Sequence, residues 1–228
     1  MINIITRSHE SRFLVSREFD KQLKVEVEKF AASFPNAIPI IVLRRHDSYI
    51  ASQYRRFVKN GSTGSFKQFF DLDSDTGYFK KNDLNYSCML SVLEKNFNQK
   101  PLVFIYEDMR ENPTAFIQKL ANSIGAPINM ASIDFSKKHS SYSERQLKSM
   151  LVLGRYVNMN KRRVFKNPIL HFGWKILTGG FRYKVLYAAR LMPKYLLYSE
   201  ALISTEELDQ VKLFYTSDWE SSKLYAKS

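Results

Sequence analysis

With 228 residues, 44% of them hydrophobic, the chain is long enough to enclose a full core, and a single domain spanning 1–228 is the expectation. Its one cysteine, Cys88, excludes an internal disulfide and cannot by itself make a metal site, so neither an oxidising compartment nor zinc is called for. The formal charge of +13, from 35 Lys and Arg against 22 Asp and Glu, points to an anionic partner: a nucleotide, an acidic glycan, a nucleic acid or a membrane surface.

That charge is unevenly placed. Between Lys137 and Glu200 stand 14 basic residues and 2 acidic ones, whereas residues 1–136 are nearly balanced. The basic feature is therefore a device separate from whatever the first half does. The opening residues are apolar only as far as Ile5 before Arg7 and Glu10 arrive, too short for the apolar core of a signal peptide, and no run approaches a membrane span. A cytoplasmic protein, at most peripheral to a membrane, is expected.

In chain order, short apolar runs at Ile2 to Thr6, Phe13 to Ser16, Ile38 to Leu43 and Pro101 to Tyr106 predict strands. The last two do not alternate, which predicts burial on both faces, as in a parallel sheet. Helical spacing lies between them: Phe19, Leu23, Val27, Phe30 and Phe34; then Ile50, Tyr54 and Phe57; then Leu84, Cys88 and Val92. Strands alternating with helices predict an α/β fold, a central parallel sheet flanked by helices. After the fourth strand, Asn112 is a good N-cap, Pro113 suits a first turn, Phe116, Leu120 and Ile124 form a stripe, and Gly125 closes the helix. Beyond Asp134 only helices are expected, two of them opening on capping boxes, Ser143 with Gln146 and Ser204 with Glu207.

In open α/β sheets ligands bind beyond the carboxyl ends of strands, where helix N-termini present N–H groups to anions. The third predicted strand ends in Arg44, Arg45, His46 and Asp47, and the following helix carries Ser52 and Tyr54. An Arg at the strand end and a hydroxyl on the adjoining helix can hold one phosphate from two sides. The same residues are equally compatible with a strand that simply ends in solvent.

The run from Ile40 to Tyr54, an apolar strand, then Arg44, then Ser52 eight residues later and a Tyr, resembles the 3'-phosphate-binding segment of sulfotransferases that use 3'-phosphoadenosine-5'-phosphosulfate (PAPS). A second match follows in the family's order: Pro101 to Pro113 is similar to its later strand ending in Tyr-Glu-Asp and an Asn-Pro helix start. The helix that follows, to Pro127, continues the likeness, and Phe13 to Glu18 looks like the Ser- and Glu-bearing strand of carbohydrate-acting members. The resemblance covers roughly residues 12–127, with a weaker likeness to bacterial members over 137–160.

The resemblance implies a P-loop-like sulfotransferase fold, with PAPS as donor and no metal. It implies that Arg44 and Ser52 hold the donor's 3'-phosphate and that Tyr106 approaches the adenine, although Tyr106 also fits a core position at a sheet edge. Residues 137–141 could close over the same phosphate or form a solvated basic loop. Transfer to a hydroxyl needs a base, and Glu18 stands where the family carries it; His9 is the alternative.

The family also carries a strand and a permissive loop around the 5'-phosphosulfate, which should precede Phe13, and the twelve residues there contain no glycine. The expectation is therefore either a fragment whose loop lies upstream of Met1 or a product that has lost half its donor site. Residues 59–67 hold two glycines but follow a helix and lack the Gly-Lys-Ser/Thr ending, which makes them a loop near the acceptor.

Over 161–198, cations alternate with aromatics. Helices with inward aromatics and outward cations fit this stretch. So does an amphipathic helix on an anionic membrane, with a stripe of Phe181, Val185, Ala188 and Met192, and so does binding to an acidic or lipid-linked glycan. Nucleic acid fits less well, because no recognised module is present. The functional expectation is transfer of a sulfuryl group from PAPS to a hydroxyl of a glycan or glycolipid. A non-catalytic nucleotide- or glycan-binding remnant and a basic membrane-surface protein are the alternatives.

Overall fold

The computed structural model describes residues 19–136, 142–155, 165–189, 191 and 200–226. The strands expected at 2–6 and 13–16 lie outside these residues, as do Glu18, His9 and the 137–141 segment. The described residues are mostly helical around a small parallel sheet, so the fold is broadly α/β. They fall into two compact units, one within 1–48, 78–136 and 210–228, the other within 49–77 and 137–209.

The first unit is built on two strands, β1 (Ile40–Leu43) and β2 (Leu102–Ile105), paired in parallel with Ile40 opposite Leu102 and Leu43 opposite Ile105. Parallel neighbours need a crossover, and the chain between them supplies helices, among them α2 (His46–Lys59), α3 (Phe66–Phe69) and α4 (Tyr86–Asn96). Helix α4 packs against α1 (Phe19–Ser33), where Val27 and Ala31 bury themselves with Leu93 and Phe97. Leu43, Val103 and Ile105 form a second cluster with Tyr86 and Leu90, closed by Trp219 and Tyr225 of α10 (Thr216–Tyr225).

Burial corrects one expectation. In β2 Val103, Phe104 and Ile105 are all buried, but in β1 Val42 is 48% exposed, and Ile38 just before the strand is 46% exposed. Successive side chains on a strand point to opposite faces, and Ile41 and Leu43 reach the helical clusters while Val42 points away from them. An apolar run without alternation does not by itself enclose a strand.

Local signals set the helix ends. Asn112 caps α6 (Pro113–Ser123) by accepting from the Ala115 amide (3.0 Å), with Pro113 in the first turn and Gly125 just past the end at φ +65°. Before it, α5 (Tyr106–Glu111) starts directly at the end of β2. The expected capping boxes are present: Ser143 and Gln146 open α7 (Glu144–Gly154), and Ser204 and Glu207 open α9 (Thr205–Phe214).

In the second unit, Tyr54, Phe66 and Phe69 form a buried aromatic core, and the Tyr54 hydroxyl donates to the Gly64 carbonyl (2.9 Å). The 59–67 loop is thus a packed turn whose Ser65 caps α3 reciprocally with Gln68. Helix α7 packs on α8 (Pro168–Ala188), burying Leu147, Met150, Val185 and Leu186, while Gln146 donates to the Leu186 carbonyl (2.7 Å). Past Asp134 every described element is a helix.

Candidate functional site

Because β1 and β2 run parallel and in register at Leu43 and Ile105, the residues that follow them, Arg44 and Tyr106, emerge side by side at the carboxyl edge of the sheet. The Arg44 guanidinium lies over the Tyr106 ring, 4.6 Å from its centroid. A planar cation on a ring face is attracted by the ring's quadrupole and keeps its in-plane N–H groups available. Arg44 Nε donates to Ser48 Oγ (2.7 Å), in the first turn of α2, which aims the fork over that helix start. No carboxylate among the described residues pairs with Arg44, and its terminal nitrogens are left as donors on a half-buried side chain.

Arg45 is disposed differently. Its Nε and one terminal nitrogen grip both Asp47 oxygens (3.2 and 2.6 Å), and this hydrogen bond to Asp47 raises its pKa despite the burial that opposes it. Burial works to raise the pKa of Asp47, but hydrogen bonds from Arg45 and the Ser48 backbone outweigh it and the pKa falls. The Arg45 amide donates to Glu107 Oε1 (3.1 Å), and Glu107 Oε2 is buried without a protein partner. Two adjacent arginines therefore have separate fates: one is consumed by structure, and the other presents unpaired donors.

Beneath this edge sits a buried clamp. His46 is 2% exposed, stacked on Tyr215 (4.5 Å, 3°) and packed against Tyr86 (4.3 Å). Its Nε2 lies 3.0 Å from the Leu84 carbonyl and 2.9 Å from Asp218 Oδ2. A carbonyl can only accept, so Nε2 carries the proton. Asp218 also accepts from the amides of Tyr86 and Ser87 (both 2.9 Å), the first two residues of α4, whose orphan donors it satisfies. Burial opposes ionisation of Asp218, yet the hydrogen bonds from His46, Ser87 and Tyr86 prevail and bring its pKa down to about 2. The Tyr86 hydroxyl donates to the Arg44 carbonyl (2.6 Å), so the clamp holds the backbone from which the Arg44 side chain departs.

Of the residues singled out in the sequence, Arg44 and Tyr106 are brought together. Ser52 is half-buried on α2, one turn beyond Ser48, in the part of that helix that belongs to the second unit. Glu18 and His9 lie outside the described residues. Ser48, Glu107 and the His46–Asp218 pair were not singled out. Ser48 follows Arg44 at a spacing that could have suggested a contact, but His46 and Asp218 are 172 residues apart and carry no local signal.

Asp71, Asp73 and Asp75 recur at alternate positions, a pattern that could suggest a cation loop. Asp71 instead accepts from the hydroxyls of Ser74 and Thr76 and from the Asp73 amide, contacts that hold its pKa well below the usual carboxylate range, and Asp73 pairs with Lys67 (3.1 Å). Among the described residues no group of three or more His, Cys, Asp or Glu side chains is arranged to hold a metal ion.

The chemistry available at the sheet edge is anion recognition, through a guanidinium fork backed by an aromatic ring at the start of a helix. In comparisons with known proteins, no family model, no curated protein and no solved structure matches the chain.

Proposed function

We propose that the chain is a PAPS-dependent sulfotransferase of P-loop-like fold, acting on a hydroxyl of a glycan or glycolipid, with Arg44 and Ser52 on the donor's 3'-phosphate and Tyr106 at its adenine. The observation that carries the reading is the unpaired fork of Arg44 over Tyr106 at the carboxyl edge of two parallel strands. A phosphate offers that fork the two oxygens that a carboxylate offers elsewhere, as Asp47 does for Arg45.

In the reaction, the acceptor oxygen bonds to sulfur as the bond from sulfur to the bridging oxygen of the 5'-phosphate breaks. The products are the sulfated glycan and adenosine 3',5'-bisphosphate, and the acceptor's proton passes to a base, assigned here to the Glu18 carboxylate. The parallel sheet with a helix leaving the end of β1 supports the fold assignment, because such edges are where open α/β sheets bind anionic ligands.

Calorimetric titration with adenosine 3',5'-bisphosphate and with 5'-AMP tests the site. The bisphosphate is expected to bind about tenfold more tightly, since a charge-assisted contact to one more phosphate is worth ~1.4 kcal/mol or more, and Arg44→Ala should erase the difference. Equal binding of both ligands, or of neither, overturns the donor site. Bisphosphate binding without sulfate transfer to any glycan would favour the non-catalytic remnant.

A further inference from the structure

Helix α8 is long enough to be a major core element, yet among its described side chains the buried ones are Val185 and Leu186, near its C-terminal end. Its first three turns do the opposite. Ile169 is 79% exposed, Phe172 63%, Ile176 60% and Leu177 67%, with Leu170 also exposed. At about 100° per residue these five side chains share one arc of the helix, which contains no charged residue over those turns. Gly173 falls on the same arc, and a Cβ there would meet nothing within 4 Å. The arc is open.

The stretch of chain around it carries one sign of charge. Lys166 precedes the helix, Lys175 and Lys184 lie on it, and all three are exposed. No acidic residue occurs between Glu144 and Glu200. A second copy of the chain would set cations against cations, which opposes self-association through this face. A nucleic acid would satisfy the cations but leave five large apolar side chains with nothing to bury against. An anionic bilayer satisfies both: lipid phosphates meet the lysines, and the boundary between headgroups and acyl chains takes the apolar arc. No described helix is long and apolar enough to cross a membrane, so α8 would lie in the plane of the surface.

We propose that the first three turns of α8 dock the protein on anionic membrane surfaces, burying Ile169, Leu170, Phe172, Ile176 and Leu177 below the headgroups while Lys166 and Lys184 contact lipid phosphates and Lys175, on the far side of the helix, adds to the attraction. This surface is independent of the donor site at Arg44, and its test uses no nucleotide.

The full chain is sedimented with vesicles of phosphatidylcholine alone and of phosphatidylcholine mixed with phosphatidylglycerol, beside the double variant Ile176→Glu, Leu177→Glu. Both positions are exposed, and circular dichroism checks that helix content is unchanged. Wild-type protein is expected to sediment only with the anionic vesicles, and the double variant to bind them at least about tenfold more weakly, because two large apolar side chains no longer leave water. A second variant, Lys175→Glu with Lys184→Glu, should weaken binding to the anionic vesicles as well. The proposal is overturned by absence of vesicle binding, by binding that the apolar variant leaves unchanged, by duplex DNA binding that exceeds vesicle binding, or by a solution dimer that the apolar variant dissolves.

Discussion

Asp218 gathers three hydrogen bonds from groups on two other segments, the His46 ring and the amides of Tyr86 and Ser87. Removing a buried acceptor leaves each donor unsatisfied, and each such loss costs about 1–3 kcal/mol, with some relief where water enters. Asp218→Ala should therefore destabilise the protein by roughly 3 kcal/mol, read as a lower urea midpoint with the slope unchanged. It should also loosen the backbone at Arg44, because the Tyr86 hydroxyl that holds the Arg44 carbonyl belongs to the same cluster. At this scale the candidate site was half legible. Arg44 and Tyr106 stand at the ends of apolar runs, and strand ends are where anion sites form. The clamp beneath them was not, since a histidine and an aspartate separated by most of the chain mean nothing until α2, α4 and α10 are packed.

The loop after α3 turns on Gly77. A Cβ there would stand 2.8 Å from the Asp71 amide nitrogen and 2.9 Å from the Phe70 Cα, both of them backbone atoms that cannot rotate aside. Gly77→Ala should cost about 2 kcal/mol through this overlap, measured by thermal or urea unfolding. The same turn anchors Asp71 to Ser74 and Thr76, so the substitution should disturb those contacts too. Element ends marked by side-chain chemistry were readable: Asn112, Ser143 and Ser204 cap the helices their spacing predicts, because a cap is a contact between residues two or three apart. The burial of β1 was not readable, because the run from Ile38 to Leu43 records hydrophobicity while exposure depends on what packs against each face.

The chain carries an excess of cations, and the fold keeps several of its carboxylates ionised: Asp47, Asp71, Glu144 and Asp218 all have lowered pKa values. For Asp218 burial pushes the other way and is outweighed, so its pKa moves from 3.8 to about 2. A lowered folded-state pKa means that the unfolded chain takes up the proton first. The stabilisation is thus fully present above pH 4 or so and is lost as the pH falls toward 2. Wild type and Asp218→Asn should differ in unfolding free energy by a pH-dependent part of about 1 kcal/mol, allowing for solvent screening, that vanishes over this range. Urea melts from neutral pH down to pH 2 would show it. A gap that widened on acidification would contradict the assignment of Asp218 as the ionised partner.

The amino-acid sequence alone determined the broad α/β class, strands within the runs from Ile38 to Leu43 and from Pro101 to Tyr106, the helix caps at Asn112, Ser143 and Ser204, and the concentration of positive charge beyond Lys137. These are properties of neighbouring residues: periodicity, capping and composition act over a few positions and survive without knowledge of the rest. Only the tertiary structure decided that Arg45 is spent on Asp47 while the Arg44 fork stays unpaired over Tyr106, that His46 is buried against Asp218, and that the apolar side chains of early α8 face outward instead of into a core. Each of these depends on which distant surfaces meet, and residues that share the same local pattern separate only when the chain has packed.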